Sequence, residues 1–334
     1  MRFEELFFPN YWYGDFITCH IMEKIGIQYE KKGNKMLEKI TKLKREKDFV
    51  ILAHYYVDGE VQKIADFVGD SFYLSKIATT VDAKNILFAG VKFMGESAKL
   101  LNPSKHVYMA EHSADCPMAH MIDVETIAKV REEKDDLAVV CYVNSTAEIK
   151  ALSDVCVTSS NAIKVVKNLA EKNIFFIPDY NLGNYLKELM PDKNFILNDG
   201  FCHVHKSIEK DLVQQAKELH SRAKILAHPE CTSDVLETAD YIGSTSEIID
   251  YATNSEYEEY IICTEMGVFF ELQEKNPDKK FYSVGHRQFC PNMKKISIDN
   301  VLRVLENPVE EIILSDSIME QARKPLVKML DLAK

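Results

Sequence analysis

Apolar and polar positions follow one order three times along the chain. An amphipathic segment with apolar residues at helical spacing comes first, as NKMLEKITKLKREKD (34–48), DVETIAKVREEKDD (123–136) and KDLVQQAKELHSRA (210–223). Each runs into a short apolar stretch that predicts a buried strand with a polar end: FVILAHYY (49–56), LAVVCYVN (137–144) and KILAHPEC (224–231). In register, His54, Tyr142 and His228 coincide. EVQKIADFVGDS, AEIKALSDVCVTSS and SDVLETADYIGSTS then predict a short helix and a second strand, with Asp66, Asp154 and Asp240 each 12 residues beyond those three positions. A third strand follows in NILFAGVKFMG, NIFFIPDYNLG and YIICTEMGV, then another helix. Each unit closes on a Pro-containing turn, a strand and a loop that delivers a cysteine: NPSKHVYMAEHSADC (102–116), MPDKNFILNDGFC (190–202) and NPDKKFYSVGHRQFC (276–290).

This alternation predicts an α/β protein of three homologous small domains, each a parallel sheet flanked by helices, around a pseudo-threefold axis. The expected boundaries are an N-terminal extension (1–35), repeats at 36–122, 123–208 and 209–296, and closing helices at 297–334. The extension, rich in Phe and Tyr, is expected to lie on the main body, or Met36 to be an alternative start.

Composition narrows the partners. A formal net charge of -11 argues against nucleic acid, which needs a basic surface. No apolar stretch reaches the ~20 residues of a membrane helix. Glu4, Glu5 and Asp15 fall where a secretory signal needs a basic start and an unbroken apolar run, so a cytoplasmic location is expected, with its eight cysteines reduced.

Those cysteines divide into two groups. Cys116 lies 86 residues before Cys202, and Cys290 lies 88 after it, so three thiols close three equivalent segments and are expected to meet at the axis. Cys19, Cys141, Cys156, Cys231 and Cys263 have no such triplication and read as small buried hydrophobes. There is no CxxC, which excludes zinc ribbons and sequential ferredoxin motifs. Three thiolates can hold zinc with one open position, or three irons of a 4Fe-4S cluster whose fourth iron binds substrate.

Ligands of open α/β sheets bind beyond the carboxyl ends of the strands, where His54, Tyr56, Tyr142, Asn144, His228 and Glu230 stand. Glu230 is the candidate general base, and Tyr56 a proton donor or orienting hydroxyl. Ser71, Ser159, Ser160, Ser244 and Thr245 fall at or near helix starts, where hydroxyls cap helices or hold anions. Asp66, Asp154 and Asp240 read as structural. An anionic, multi-carboxylate ligand suits such a pocket.

The motifs AHYY, EVQKIADFVGDS, GVKFMGESAKLLNP, YVNSTAEIKALSDVCVTSSNA, IPDYNLGNY, GFCHVH, HPEC, ADYIGSTSEII, ICTEMG and FCPNMKK together resemble the quinolinate synthase A family over about residues 36 to 332. The resemblance implies an enzyme of NAD biosynthesis that condenses iminoaspartate with dihydroxyacetone phosphate to quinolinate, with loss of phosphate and water. It implies three domains around a central cavity and a 4Fe-4S cluster on Cys116, Cys202 and Cys290, with one iron open as a Lewis acid. It carries substrate contacts onto His54, Tyr56, Ser71, Tyr142, Asn144, Ser159, His203, His228, Glu230 and Thr245, with Tyr56, Glu230, His54 and His228 moving protons. A functional partner would be the enzyme that supplies iminoaspartate. Some members carry extra cysteines after the last ligand; here Pro-Asn-Met-Lys-Lys follows Cys290, which excludes a local disulfide switch of that kind. The alternatives are another metal-cluster hydro-lyase on the same frame and a non-catalytic iron-sulfur sensor.

Overall fold

The computed structural model describes residues 35–285, 287–309 and 311–334. The expectation for the N-terminal extension, and Cys19 with it, lies outside these residues.

Among the described residues twelve strands form three sheets of four. The first holds β1 (Phe49–His54), β2 (Phe67–Gly69), β3 (Asn85–Ala89) and β4 (His106–Met109); the second β5 (Leu137–Tyr142), β6 (Val155–Val157), β7 (Asn173–Ile177) and β8 (Asn194–Leu197); the third β9 (Lys224–Ala227), β10 (Tyr241–Ile242), β11 (Glu259–Cys263) and β12 (Lys280–Ser283). Their orders are β2-β1-β3-β4, β6-β5-β7-β8 and β10-β9-β11-β12, one topology used three times. Every ladder is parallel. The cause is local: β1 is buried at all six positions, and β5 at five of six, because helices cover both faces of a parallel sheet. Each such Val, Ile or Leu contributes about 1.5–3 kcal/mol by burial.

The triplicated aspartates fix the entry of the second strand. Asp66, Asp154 and Asp240 accept the backbone N–H of Ile51, Val139 and Ile225 at 2.7, 2.7 and 2.8 Å. Each also faces one cation, Lys44, Arg131 or Lys224. Their role is structural, as the sequence indicates.

In all three sheets the first strand lies between the second and third, so the strand order reverses beside β1, β5 and β9. A crevice opens at such a reversal, at the carboxyl ends of the strands. The first two repeats share one hydrophobic core, which the helix Asp316–Leu332 joins through Ala322, Leu326 and Met329. The third sheet packs on separate cores around Ile225 and Ile261 on one face and Leu226 and Ile262 on the other. Among the described residues no helix is long and apolar enough to cross a membrane.

Candidate active site and metal centre

The three crevices open into one chamber. The thirteen residues to which the resemblance points line it: Cys116, Cys202 and Cys290 with His54, Tyr56, Ser71, Tyr142, Asn144, Ser159, His203, His228, Glu230 and Thr245; Ser160 and Ser244, named with them as possible anion contacts, do not.

His54 and His228 sit at the same place in two repeats and are held alike. His54 Nδ1 accepts the backbone N–H of Tyr56 at 3.2 Å, and His228 Nδ1 accepts that of Glu230 at 3.3 Å. An Nδ1 that accepts leaves the proton of a neutral ring on Nε2. His228 Nε2 lies 3.2 Å from Ser159 Oγ and therefore donates to it. Burial pushes both imidazoles down to about 3, with His205 adding to the effect at His228. They are neutral donors at neutral pH.

Glu230 is buried between two repeats. Tyr142 donates to its Oε1 at 2.5 Å, and His205 Nδ1 lies 2.7 Å from Oε2. Burial alone would raise this carboxyl; His205, with the Tyr142 bond, outweighs it and holds the group down at about 2. Burial and Glu230 push the Tyr142 and Tyr56 phenols well above their usual range, so both keep their protons. Tyr56 OH contacts Thr245 Oγ1 at 2.8 Å and Thr264 Oγ1 at 2.9 Å, and His205 Nε2 reaches the same Thr264 oxygen at 2.9 Å. Glu230 and Tyr56 thus face each other across His205 and Thr264.

The hydroxyls divide differently from the sequence reading. Ser244 is an N-cap, in a capping box with Glu247. The first helix start is capped by Asp70 rather than Ser71, and Asn161 turns its side chain back to the N–H of Thr158. Asp70 takes the cap beside Ser71, and no side chain caps the helix Ala162–Lys167, so Ser71 and Ser159 stand on the chamber wall without a capping task.

Each chamber cysteine opens a helical turn: Cys116 before Pro117–His120, Cys202 before His203–Lys206, and Cys290 shortly before Met293–Lys295. The N–H groups of Ala119, His205 and Met293, three residues on in each case, point at the thiols. Burial pushes all three thiols up, and Cys290 adds to the effect at Cys116, which reaches about 12. No Lys or Arg lines the chamber among the described residues, so three converging thiolates need a cationic group of another kind. Three soft donors with helical N–H groups behind them fit a thiophilic metal centre. The ligand atoms of Cys202, His205 and Glu230 also lie within 4.8 Å of one another, a further set able to hold a metal ion. Cys141, Cys156, Cys231 and Cys263 are buried away from the chamber as free thiols.

Sequence reasoning missed His205, Thr264, Glu265 and Asp179. His205 stood in the GFCHVH motif, three residues after a ligand cysteine. Glu265 and Asp179 occupy matching places, each two residues beyond the end of β11 or β7, a pairing visible by counting from the ends of those strands.

Comparison with known proteins gives the family. The profile of the family described as Quinolinate synthetase A protein matches residues 38–331. The chain is 52% identical over 298 residues to the quinolinate synthase of Fusobacterium nucleatum subsp. nucleatum, covering 89% of this chain and 99% of that one. To the quinolinate synthase of Caldicellulosiruptor saccharolyticus it is 48% identical over 299 residues, with 90% and 99% covered. To quinolinate synthase 2 of Methanosarcina acetivorans it is 47% identical over 296 residues, with 89% and 95% covered. A profile that spans all three sheets and relatives matched over nearly their whole length place the chain in the quinolinate synthetase A protein family.

Proposed function

We propose that this chain is a quinolinate synthase that condenses iminoaspartate with dihydroxyacetone phosphate, releasing phosphate and water, with a 4Fe-4S cluster held by Cys116, Cys202 and Cys290. The observation that carries the reading is the meeting of one thiol from each repeat with Glu230, Tyr56, Tyr142, His54 and His228 in a single chamber. When bound, such a cluster supplies an open iron that acts as a Lewis acid toward a substrate oxygen.

Ring formation needs protons removed from carbon and nitrogen and delivered to departing oxygens. Glu230, ionised and buried, is the base. Tyr56 and Tyr142, which keep their protons, orient substrate oxygens and return protons to them. His54 donates through Nε2–H to carboxylate or phosphate oxygens, while His228 donates to Ser159 Oγ, whose hydroxyl is then turned to the substrate. Ser71, Ser159 and Thr245 add hydroxyl donors, with Asn144 and His203 completing the contacts. The Asn144 Oδ1, buried and without a partner, is an acceptor left for a substrate N–H or O–H. Free thiols suit a reducing compartment, so the reading implies the cytoplasm, beside an enzyme that supplies iminoaspartate.

The test is anaerobic reconstitution with iron and sulfide, followed by assay of quinolinate from the two substrates. A brown protein that forms quinolinate supports the proposal. A colourless zinc protein, or a brown one that forms no quinolinate, rules it out.

A further inference from the structure

Each cysteine of the chamber has its own backbone N–H taken by a carboxylate. Cys116 N–H goes to Asp115 Oδ1 at 2.8 Å, Cys202 N–H to Asp179 Oδ2 at 3.2 Å, and Cys290 N–H to Glu265 Oε1 at 3.0 Å. The last two pairings are built alike. Asp179 and Glu265 follow the third strand of their repeats and are fully buried. Each divides its two oxygens between two donors. Asp179 Oδ1 takes the N–H of Leu182 at 2.7 Å, and Glu265 Oε2 takes that of Gly267 at 2.5 Å. The first repeat has Val91 at this place and cannot make the bridge. There Asp115, next in sequence to the cysteine and partly exposed beside His120, accepts the N–H instead.

Helix capping accounts for Asp179 Oδ1 and for nothing more. The second oxygen in each case reaches across to a segment 23 or 25 residues later and ends on a ligand residue. An amide side chain cannot replace it, because one of its two terminal atoms is a donor and would face an N–H. The potential of an iron-sulfur centre rises with N–H groups directed at its sulfurs and falls with nearby negative charge. A side-chain oxygen that occupies the ligand's own N–H keeps that donor away from the sulfurs and so acts to lower the potential.

We propose that Asp179 and Glu265 are positioning residues for the metal-binding thiols: each ties its cysteine's backbone to the turn after the third strand and keeps the reduction potential of the bound group low. The inference rests on the cluster reading given above. Burial pushes both carboxyls up, with Glu230 adding to the effect at Asp179 and Lys294, 3.6 Å from Glu265 Oε1, opposing it at Glu265; what the two share is the occupied cysteine N–H.

The experiment uses the anaerobically reconstituted enzyme, with Asp179→Asn, Glu265→Gln and Asp115→Asn as separate variants. Midpoint potential is read by EPR-monitored titration, and iron loss by transfer to a ferrous chelator. Asp179→Asn and Glu265→Gln are each expected to raise the potential and to speed iron loss at least tenfold, and Asp115→Asn, whose acid is partly exposed, to shift both least. A purely structural role speeds iron loss in the buried variants but leaves the potential of the remaining cluster at the wild-type value, and that result overturns the proposal. If Asp179→Asn does not fold, Glu265→Gln decides by the same two readouts. Wild-type protein that takes up no iron overturns the cluster reading and this inference together; a wild-type cluster with both buried variants unchanged overturns this inference alone.

Discussion

Tyr142 of the second repeat donates its hydroxyl hydrogen bond to Glu230 of the third, joining two strand ends 88 residues apart in the chain. The bond withdraws charge from a carboxylate that burial removes from solvent, and with His205 it keeps Glu230 ionised. Tyr142→Phe removes the donor and leaves the fold's apolar contacts in place. The Glu230 pKa then rises, so the acid limb of the pH profile of kcat/KM moves to higher pH. A loss of roughly 10²-fold in kcat is expected for weakened acid-base catalysis. An acid limb that stays at its wild-type position in the variant tells against this coupling.

His54 and His228 make the apoprotein sensitive to acid. Both have folded pKa values of about 3, far below the usual imidazole value of 6.5, because burial penalises the cation. Between those values the unfolded chain binds protons that the folded chain refuses, so stability falls as pH drops through that window. Each histidine contributes a slope of up to about 1.4 kcal/mol per pH unit. Urea unfolding of the apoprotein at pH 7, 6 and 5 measures this slope, and His54→Gln is expected to flatten it. A variant as steep as the wild type excludes His54 as a source.

Gly267 keeps Tyr56 in place. A Cβ on this residue would stand 2.6 Å from Tyr56 Cα and 2.7 Å from its carbonyl atoms, closer than any side chain tolerates. The backbone of the first repeat thus lies directly against the turn that follows β11 in the third. Gly267→Ala is expected to cost about 1–3 kcal/mol through overpacking. Activity should fall further than stability, because Tyr56 is displaced from Thr245 and Thr264. Normal kcat in a destabilised Gly267→Ala protein would separate the contact from catalysis.

The aspartate clamps give a contrasting case. Asp154→Ala leaves the buried N–H of Val139 without its acceptor and frees Arg131. A loss of about 1–3 kcal/mol is expected, with iron binding and kcat retained in the folded fraction. Lost iron binding in a well-folded variant would give Asp154 a role at the site that its position does not suggest.

Much of this was legible because triplication makes spacing informative. His54, Tyr142 and His228 coincide in sequence register and meet in space, and the same holds for Cys116, Cys202 and Cys290. The parallel sheets followed from the apolar runs of β1 and β5. What stayed hidden was pairing across repeats. Nothing near Glu230 in the chain announces Tyr142 or His205 as its partner. The two-sided use of Asp179 and Glu265 is a property of the folded backbone, since a lone acid after an apolar strand reads as a cap. At the start of the helix Ser71–Thr80 the sequence offered two adjacent acceptors, and only the folded backbone shows that Asp70 takes the cap while Ser71 lines the chamber.

The cysteines allow the sharpest separation of spacing from burial. Cys141 and Cys156 face each other on β5 and β6, fully buried, and Cys231 lies against the carbonyl of Cys263. These four have apolar surroundings and no place on the chamber wall. Cys116, Cys202 and Cys290 are half-buried and line it. Replacing any one of the three by Ala should reduce iron content to background after anaerobic reconstitution, because two thiolates cannot hold the centre, while the apoprotein keeps its melting temperature within a few degrees. Cys141→Ala and Cys231→Ala should do the reverse, keeping iron and losing about 1 kcal/mol or more to the cavity left behind. The measurement is iron and sulfide content beside thermal unfolding for all five variants. If Cys141→Ala lost its iron, or Cys290→Ala kept it, the equivalence of the three loop cysteines would not be the basis of the metal site.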